Sequence, residues 1–336
     1  VDMPHEPTAQ ADALLARAGQ GDAAAFDELV AAHRRELFAH CYRMLGSLED
    51  AEDALQETLL NAWKGLRGFE GRSSLRTWLY RISTNVCIRS ASGRGPRILS
   101  TDHGPPLTDP SDLGEPVAGP IWLEPWPDHD PAERYLRREG VELAFVAALQ
   151  HLPGTQRAVL ILREVLGYSA AETAGILDTT AASVNSALQR ARKAVEERMP
   201  ATTQRAELDA LGEDGRRALV EAFVSAWERA DVDALVSLLA DDARFTMPPL
   251  PAWFDGVAAV RRFFAERVFA TAWRLVPIQV NGQLGFACYQ ERDGRLRLSA
   301  INALGVRDGS ISEISGFIDP AVLARSGLPE EFPPER

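Results

Sequence analysis

Within residues 152–199, the types Ser183, Asn185, Ser186, Gln189, Arg190, Arg192 and Lys193 recur on one side of a helical pattern. The other side is Val184, Leu188, Ala191 and Val195. The polar set suits hydrogen bonding to base edges and phosphates. Asn and Gln pair with adenine through two bonds, Arg pairs with guanine, and Arg or Lys also meets phosphate. An upstream pattern over 169–177 repeats Ala170, Thr173, Ala174 and Leu177 at helical spacing. Asp178-Thr179-Thr180 separates it from the second pattern, which begins at Ala181. Two helices joined by so short a turn predict a helix-turn-helix whose second helix can enter a major groove. Taken alone, the pattern fits a solvated helix of an ordinary bundle equally well.

A second group lies upstream. Residues 71–101 contain no acid but hold Arg72, Arg76, Arg81, Arg89, Arg94 and Arg97, with Trp78, Tyr80 and Asn85 between them. Phe69, Ser73 and Ser74 belong to the Gly-, Arg- and Ser-rich loop just before. Cationic groups follow a phosphate backbone, and aromatic faces stack on unpaired bases. For the 69–74 loop, nucleic acid contact is the favoured reading; for Trp78, with Leu79, Ile82 and Val86, core packing is. Ahead of this stretch runs an acidic helix whose seam is Ala51, Ala54, Leu55, Thr58, Leu59 and Ala62. Its outer carboxylates, Asp53 and Glu57 among them, form either a solvated face or a docking surface for a basic partner.

The whole chain limits these readings. It has 336 residues and a net charge of −12, so only local basic patches can favour DNA through counterion release. Asp22 is placed to cap a long helix, Gly46-Ser47 to end it, and Glu49 and Asp50 to suit the positive end of the next. Cys41, Cys87 and Cys288 form no CxxC pair, which points to a reducing cytoplasm and away from a disulfide framework or a metal site. No apolar run reaches the roughly 18 residues of a membrane span, and residues 1–10 do not resemble a signal peptide. The expectation is a soluble, cytoplasmic chain without membrane contact.

The runs DAEDALQETLLNAW, FEGRSSLRTWLYRISTNVCI and LPGTQRAVLILREVLGYSAAETAGIL, followed by SVNSALQRARK, resemble extracytoplasmic-function (ECF) sigma factors of bacterial RNA polymerase in order and spacing. The resemblance implies a multidomain chain with two all-α domains. Region 2 would occupy 12–98, a Pro-, Gly- and Asp-rich linker 99–140, and region 4 residues 141–200. It implies that core RNA polymerase is a partner, through its β′ clamp and β flap, and promoter DNA the other. Asp50, Asp53, Gln56, Glu57 and Asn61 would face polymerase. Phe69, Arg72, Ser73, Ser74, Arg76, Trp78, Arg81 and Asn85 would serve melting and recognition of the −10 element. The seven polar residues of the helix-turn-helix would read the −35 element.

The linker reads as an extended connector. Its island Ile121-Trp122-Leu123-Glu124-Pro125-Trp126-Pro127 is apolar, and a purely flexible spacer does not need two tryptophans. It fits a contact with region 4 or a docking strip for a further domain; similar Trp- and Pro-containing linkers in sigma factors with C-terminal extensions favour docking.

Downstream, a polar hinge at 209–215 precedes a helix at 216–230, a strand at 243–247 and a helix at 257–268. Strands follow at 273–281, 285–292, 295–306 and 310–318, with Asn281-Gly282, Asp293-Gly294 and Asp308-Gly309 as hairpin turns. Helices followed by an antiparallel meander indicate an α+β domain. The order resembles the SnoaL-like fold, a cone-shaped barrel, over 214–320, with a tail at 321–336. Trp227, Phe245, Met247, Trp253 and Phe286 could line a pocket for a small apolar ligand. No His follows His151, and Asp241, Asp242, Asp255, Glu291 and Asp319 show no pairing that would shuttle a proton. The chain is therefore read as no enzyme, with no catalytic residue, cofactor or metal. The third domain is expected to regulate through an intramolecular contact with the linker. The competing readings are a ligand-sensing helix-turn-helix regulator acting without polymerase, and a cyclase- or isomerase-type enzyme with DNA-binding appendages.

Overall fold

The structure, a computed structural model, describes residues 9–128 and 142–332. Four helices come first: α1 (Ala9–Gly19), α2 (Ala23–Leu45), α3 (Leu48–Gly65) and α4 (Leu75–Ala91). A connector carrying the single turn α5 (Ser100–His103) and the short strand β1 (Pro127–Asp128) leads to α6 (Leu143–Gln150). Next come α7 (Gly154–Leu160), α8 (Ala170–Ile176) and α9 (Ala181–Glu196). The remainder is α10 (Gln204–Glu228), α11 (Val232–Val236), β2 (Leu239–Thr246), β3 (Trp253–Asp255), α12 (Val257–Glu266), β4 (Trp273–Val280), β5 (Gln283–Arg292), β6 (Arg295–Arg307), β7 (Ser310–Phe317) and α13 (Pro320–Arg325). The chain divides into two compact units: Val1–Gly95 with Leu152–Val195, and Pro96–His151 with Glu196–Arg336.

In the first unit the helix starts are written in the sequence. Asp22, Ser47 and Ser74 each accept a hydrogen bond from the backbone N–H three residues on, at 3.1, 3.2 and 3.1 Å. Gly46, at φ 69°, ends α2 in the left-handed conformation that glycine adopts without strain. Phe26, Val30, Leu37, Leu59 and Leu79 share one core with Leu162, Tyr168 and Ile176. The helices before residue 92 and the helix-turn-helix block thus bury apolar surface against each other. Cys41 and Cys87, distant in sequence, meet here beside Ser83, 3.4 Å from Cys41 Sγ. A hydrogen bond with Cys87 holds the Cys41 thiol below its ordinary value, while burial pushes Cys87 well up. Both are free thiols.

His40 is fully buried against Thr84, 2.9 Å away, and burial, helped by Arg43 and Arg76, pushes its pKa down to about 3. The folded state therefore holds His40 neutral, while the unfolded chain protonates it below about pH 6.5. Stability should fall with acidification between about pH 6.5 and 3, with a contribution from this one group approaching about 1.4 kcal/mol per pH unit. Melting temperatures of the full chain and of His40→Asn across that range test this. The variant should show a shallower acid slope, and parallel curves would refute it.

The second unit is built on one curved sheet, in the order β1-β4-β5-β6-β7-β2-β3. All neighbours are antiparallel except β2 and β7, which are parallel. The three hairpin signals hold: Asn281-Gly282, Asp293-Gly294 and Asp308-Gly309 all have positive φ at both positions, as type I′ turns require. Register shifts at Cys288/Tyr289 and at Gly305/Val306 are bulges, which bend a sheet. The predicted hinge at 209–215 is instead a kink within α10, at Gly212 (φ 71°, ψ 177°).

The expected extended connector is held in place. Apart from the single turn α5, residues 98–128 form no helix, and they lie along the third domain. Leu107 N donates to Trp253 O at 2.8 Å and Val117 N to Pro249 O at 3.0 Å. Trp126 N donates to Asn281 Oδ1 and Asn281 N to Trp126 O, both at 2.8 Å. β1 then pairs with the edge strand β4. The cause is general: backbone groups at a sheet edge need partners, and an adjacent extended segment supplies them. Of the two readings of the tryptophan island, docking on the third domain is the one realised. α6 likewise groups with this unit, although the sequence assigned 141–200 to one domain. Leu143 N donates to Gln283 Oε1 at 2.9 Å, and the Glu142 carboxylate accepts from Gln204 N and Arg205 N, each at 3.1 Å. The tail adds a further edge contact, Leu298 N to Glu330 O and Phe332 N to Leu296 O, both at 2.9 Å. Residues 129–140 of the expected linker and the last tail residues, 333–336, lie outside the described residues. Among the described residues no helix is long and apolar enough to cross a membrane.

Candidate nucleic-acid and polymerase interface

Local chemistry sets the helix-turn-helix. Ser169 and Glu172 form a reciprocal capping box at the start of α8. After α8 the chain turns at Asp178, whose φ of 49° is left-handed, a state Asp tolerates better than most residues. Thr180 Oγ1 then accepts from Ser183 N at 3.2 Å and starts α9. Val184, Leu188, Ala191 and Val195 are buried, and Ser183, Asn185, Ser186, Gln189, Arg190, Arg192 and Lys193 are all exposed. Arg192 is partly engaged by Glu164 at 2.6 Å. Rigid helix, buried back and polar front are what a groove-reading element needs.

The basic helix α4 is less open than its sequence implies. Arg76 donates to Glu36 Oε2 at 2.9 Å and to Tyr168 Oη at 3.4 Å, with its guanidinium 4.9 and 5.6 Å from the Tyr80 and Tyr168 ring centroids. Burial raises the Glu36 carboxyl, but His33 and Arg76 more than offset it and hold it below the ordinary value. Arg81 Nη2 reaches both oxygens of Asp178, at 2.8 and 2.9 Å. Both arginines are thus turned onto the helix-turn-helix. Arg72 pairs with Glu70 at 2.9 Å, Ser74 uses its hydroxyl as a cap, and Ser73 is exposed. Trp78 is half-buried, with Phe69 at 5.1 Å and Gly65 beneath it, and Asn85 is half-buried.

On α3, Asp53, Gln56 and Glu57 are exposed, while Asp50 and Asn61 are half-buried. Glu57 pairs with Arg89 at 2.7 Å and Asp50 with Arg94 at 2.9 Å. Sequence reasoning missed Leu60, which is 51% exposed on the face of Asp53, Gln56 and Glu57. Its signal was available: Leu60 falls outside the seam of Ala51, Ala54, Leu55, Thr58, Leu59 and Ala62.

The pocket expected from Trp227, Phe245, Met247, Trp253 and Phe286 is not formed by those residues. Trp227, Phe245, Met247 and Phe286 are buried in a packed aromatic core, while Trp253 is buried outside it, donating to Gly104 O at 2.7 Å with Arg244 over its ring. Phe223 stacks on Phe286 at 4.7 Å, Trp227 meets Phe264 edge-on at 5.2 Å, and Phe245 lies 5.0 Å from Phe263. Bulky rings from helices and sheet fill the cone that smaller residues would have left open.

Two helical blocks, the second carrying an exposed polar face on α9, precede an α+β extension. Models for Sigma-70 region 2, Sigma-70 region 4 and the SnoaL-like domain match residues 29–96, 142–195 and 220–314. The ECF RNA polymerase sigma factor SigG of Mycobacterium tuberculosis (strain CDC 1551 / Oshkosh) is 42% identical over 311 residues, covering 89% of this chain and 83% of SigG. The RNA polymerase sigma-H factor of Pseudomonas aeruginosa is 31% identical over 184 residues, covering 54% of this chain and 90% of that protein. The crystal structure of the M. tuberculosis ECF sigma factor SigJ has the same fold, with a TM-score of 0.61 at 24% identity, covering 89% of this chain and 98% of SigJ. The chain belongs to the ECF RNA polymerase sigma factors. It is a non-enzymatic initiation factor that binds core RNA polymerase and promoter DNA. The stand-alone regulator and the cyclase-type enzyme are thereby set aside.

Proposed function

We propose that this sigma factor works in the cytoplasm and rests in a closed form, in which its helix-turn-helix covers part of its own −10 reader. The exposed face of α9 reads the −35 element, with Asn185, Gln189 and Arg190 at base edges and Arg192 and Lys193 at phosphates. The 69–74 loop and α4 serve the −10 element. Asp53, Gln56, Glu57 and Leu60 dock on the β′ clamp, with Asp50 and Asn61 beside them, and region 4 meets the β flap. The third domain regulates through its grip on residues 98–128.

The observation that carries the closed form is the Arg81 and Asp178 pair, with Arg76 held by Tyr168 beside it. Elements centred near −10 and −35 lie roughly 25 base pairs apart, or ~80 Å along B-DNA. Readers in direct contact cannot reach both at once, so engagement separates them.

Run-off transcription with core polymerase, on a template pool with randomised promoter sequence, tests the scheme. The full chain should initiate from a defined subset of templates. A chain ending at Met199, and a full-length Asn281→Ala variant that loosens the Trp126 contact, should change the yield several-fold at equal protein level. Absence of RNA from every template would sink the promoter role, and equal yields from all three proteins would sink regulation by the third domain.

A further inference from the structure

A cavity of 700 Å³ lies within the second unit, a size that suits a small-molecule ligand. Its floor is the sheet face opposite the aromatic core: Arg244, Ala303, Glu313 and Ser315 line it, while their neighbours Phe245, Leu304 and Ile314 point into the core. Its walls are α6, the strap at Thr101 and Asp102, and residues 197–204. Both chain passages of the helix-turn-helix therefore border it. His151 directly precedes Leu152, and Glu197 and Arg198 directly follow α9. Asp102 joins the two, with its carboxylate 3.6 Å from His151 Nε2 and 4.0 Å from Arg198 Nη1.

The charges facing the space are unequal. Arg307 is bound by Asp242, Arg198 approaches Asp102, and Arg244 donates to Asp255 at 3.1 Å. Glu313 receives a hydrogen bond from Ser315 at 2.8 Å and has no ion pair among the described residues. Burial above all pushes its carboxyl above the ordinary value; the Ser315 hydrogen bond and the charge of Arg244 oppose this, and Asp102 adds to it. Beside Ser315, on the same face as Arg244, Thr246 is fully buried with no hydrogen-bond partner for its hydroxyl among the described residues. The cavity thus combines a carboxyl without a direct ion pair among the described residues and small-residue walls at Ala144, Ala147 and Ala303, with the unsatisfied Thr246 hydroxyl outside its lining.

We propose that this cavity is an effector site for a small organic cation bearing at least one ammonium group, seated between Glu313 and Asp102. Its occupancy ties the strap to both tethers of the helix-turn-helix; that regulatory part rests on the reading of the third domain given above. An ammonium group supplies the direct ion pair Glu313 lacks among the described residues and donors for the neighbouring oxygens.

Isothermal titration of the full chain with spermidine, at physiological salt, tests the site. Saturable binding to one site is expected. Glu313→Gln, which keeps an acceptor for Ser315, should weaken it at least tenfold, and so should Ala144→Leu, which fills space without removing charge. Glu291→Gln, an exposed change of equal charge, should leave it intact. Melting curves matching the wild type show that each variant folds, and either cavity variant suffices if the other does not fold. No saturable binding, loss of binding in Glu291→Gln to the same degree, undiminished binding in a folded cavity variant, or preferential binding of citrate each overturns the site. Binding as expected with unchanged run-off yield overturns only the regulatory reading.

Discussion

Replacing Arg157 by Met should cost the first unit about 2–4 kcal/mol of stability and at the same time raise promoter-directed RNA synthesis per mole of folded protein. Arg157 is buried, and it donates through Nη1 to the carbonyl of Met44 and through Nη2 to that of Leu152 at 3.1 Å. It ties the start of the helix-turn-helix block to the C-terminal end of α2. Burial lowers its pKa to about 10, so it remains charged at neutral pH. Met retains the apolar stem but leaves both carbonyls without this donor. The loss falls on the packing that keeps the two readers together, and polymerase engagement no longer has to break it. Denaturant unfolding and run-off yield should therefore move in opposite directions. A variant that loses stability and activity together would refute the closed resting form; one that loses neither would show that Arg157 does not pin the blocks.

Arg190→Ala and Lys193→Ala should weaken promoter binding in different ways. Both side chains are exposed on α9, and Arg190 lies beside Gln189 on its front. If Arg190 meets a guanine edge, its removal costs about 1–3 kcal/mol, roughly 10- to 100-fold, and relaxes preference at one position. Lys193, facing phosphate, should weaken all sequences alike and reduce the salt dependence by about one unit of slope. Holoenzyme binding to a promoter library at several salt concentrations separates the two. A uniform loss from Arg190→Ala would move that residue from base reading to backbone contact.

Much of this was legible in the sequence because the signals were local. The caps at Asp22, Ser47 and Ser74, the capping box at Ser169, and the three Asx-Gly turns each depend on residues within a few positions. The exposed front of α9 followed from helical periodicity. What escaped were relations across long sequence distances. Nothing near Arg81 announces Asp178, and nothing near Trp126 announces Asn281. The aromatic residues assigned to a ligand pocket have the composition of a pocket wall, but whether rings face a void or each other depends on partners such as Phe223, Phe263 and Phe264. The 700 Å³ cavity escaped for the same reason, since its lining comes from seven separate stretches of chain.

The order of the two units along the chain has a consequence for synthesis. The second unit starts at Pro96 but is completed only after β7, because the strap's partners Trp253 and Asn281 come late. The ribosome needs about 10–40 s to add the roughly 190 residues between the strap and the end of the sheet. The helix-turn-helix is made within that interval, and over its later part the first unit is complete while the sheet is not. Each newborn molecule thus passes through a stage in which its promoter-reading half is finished and its restraint is not yet built.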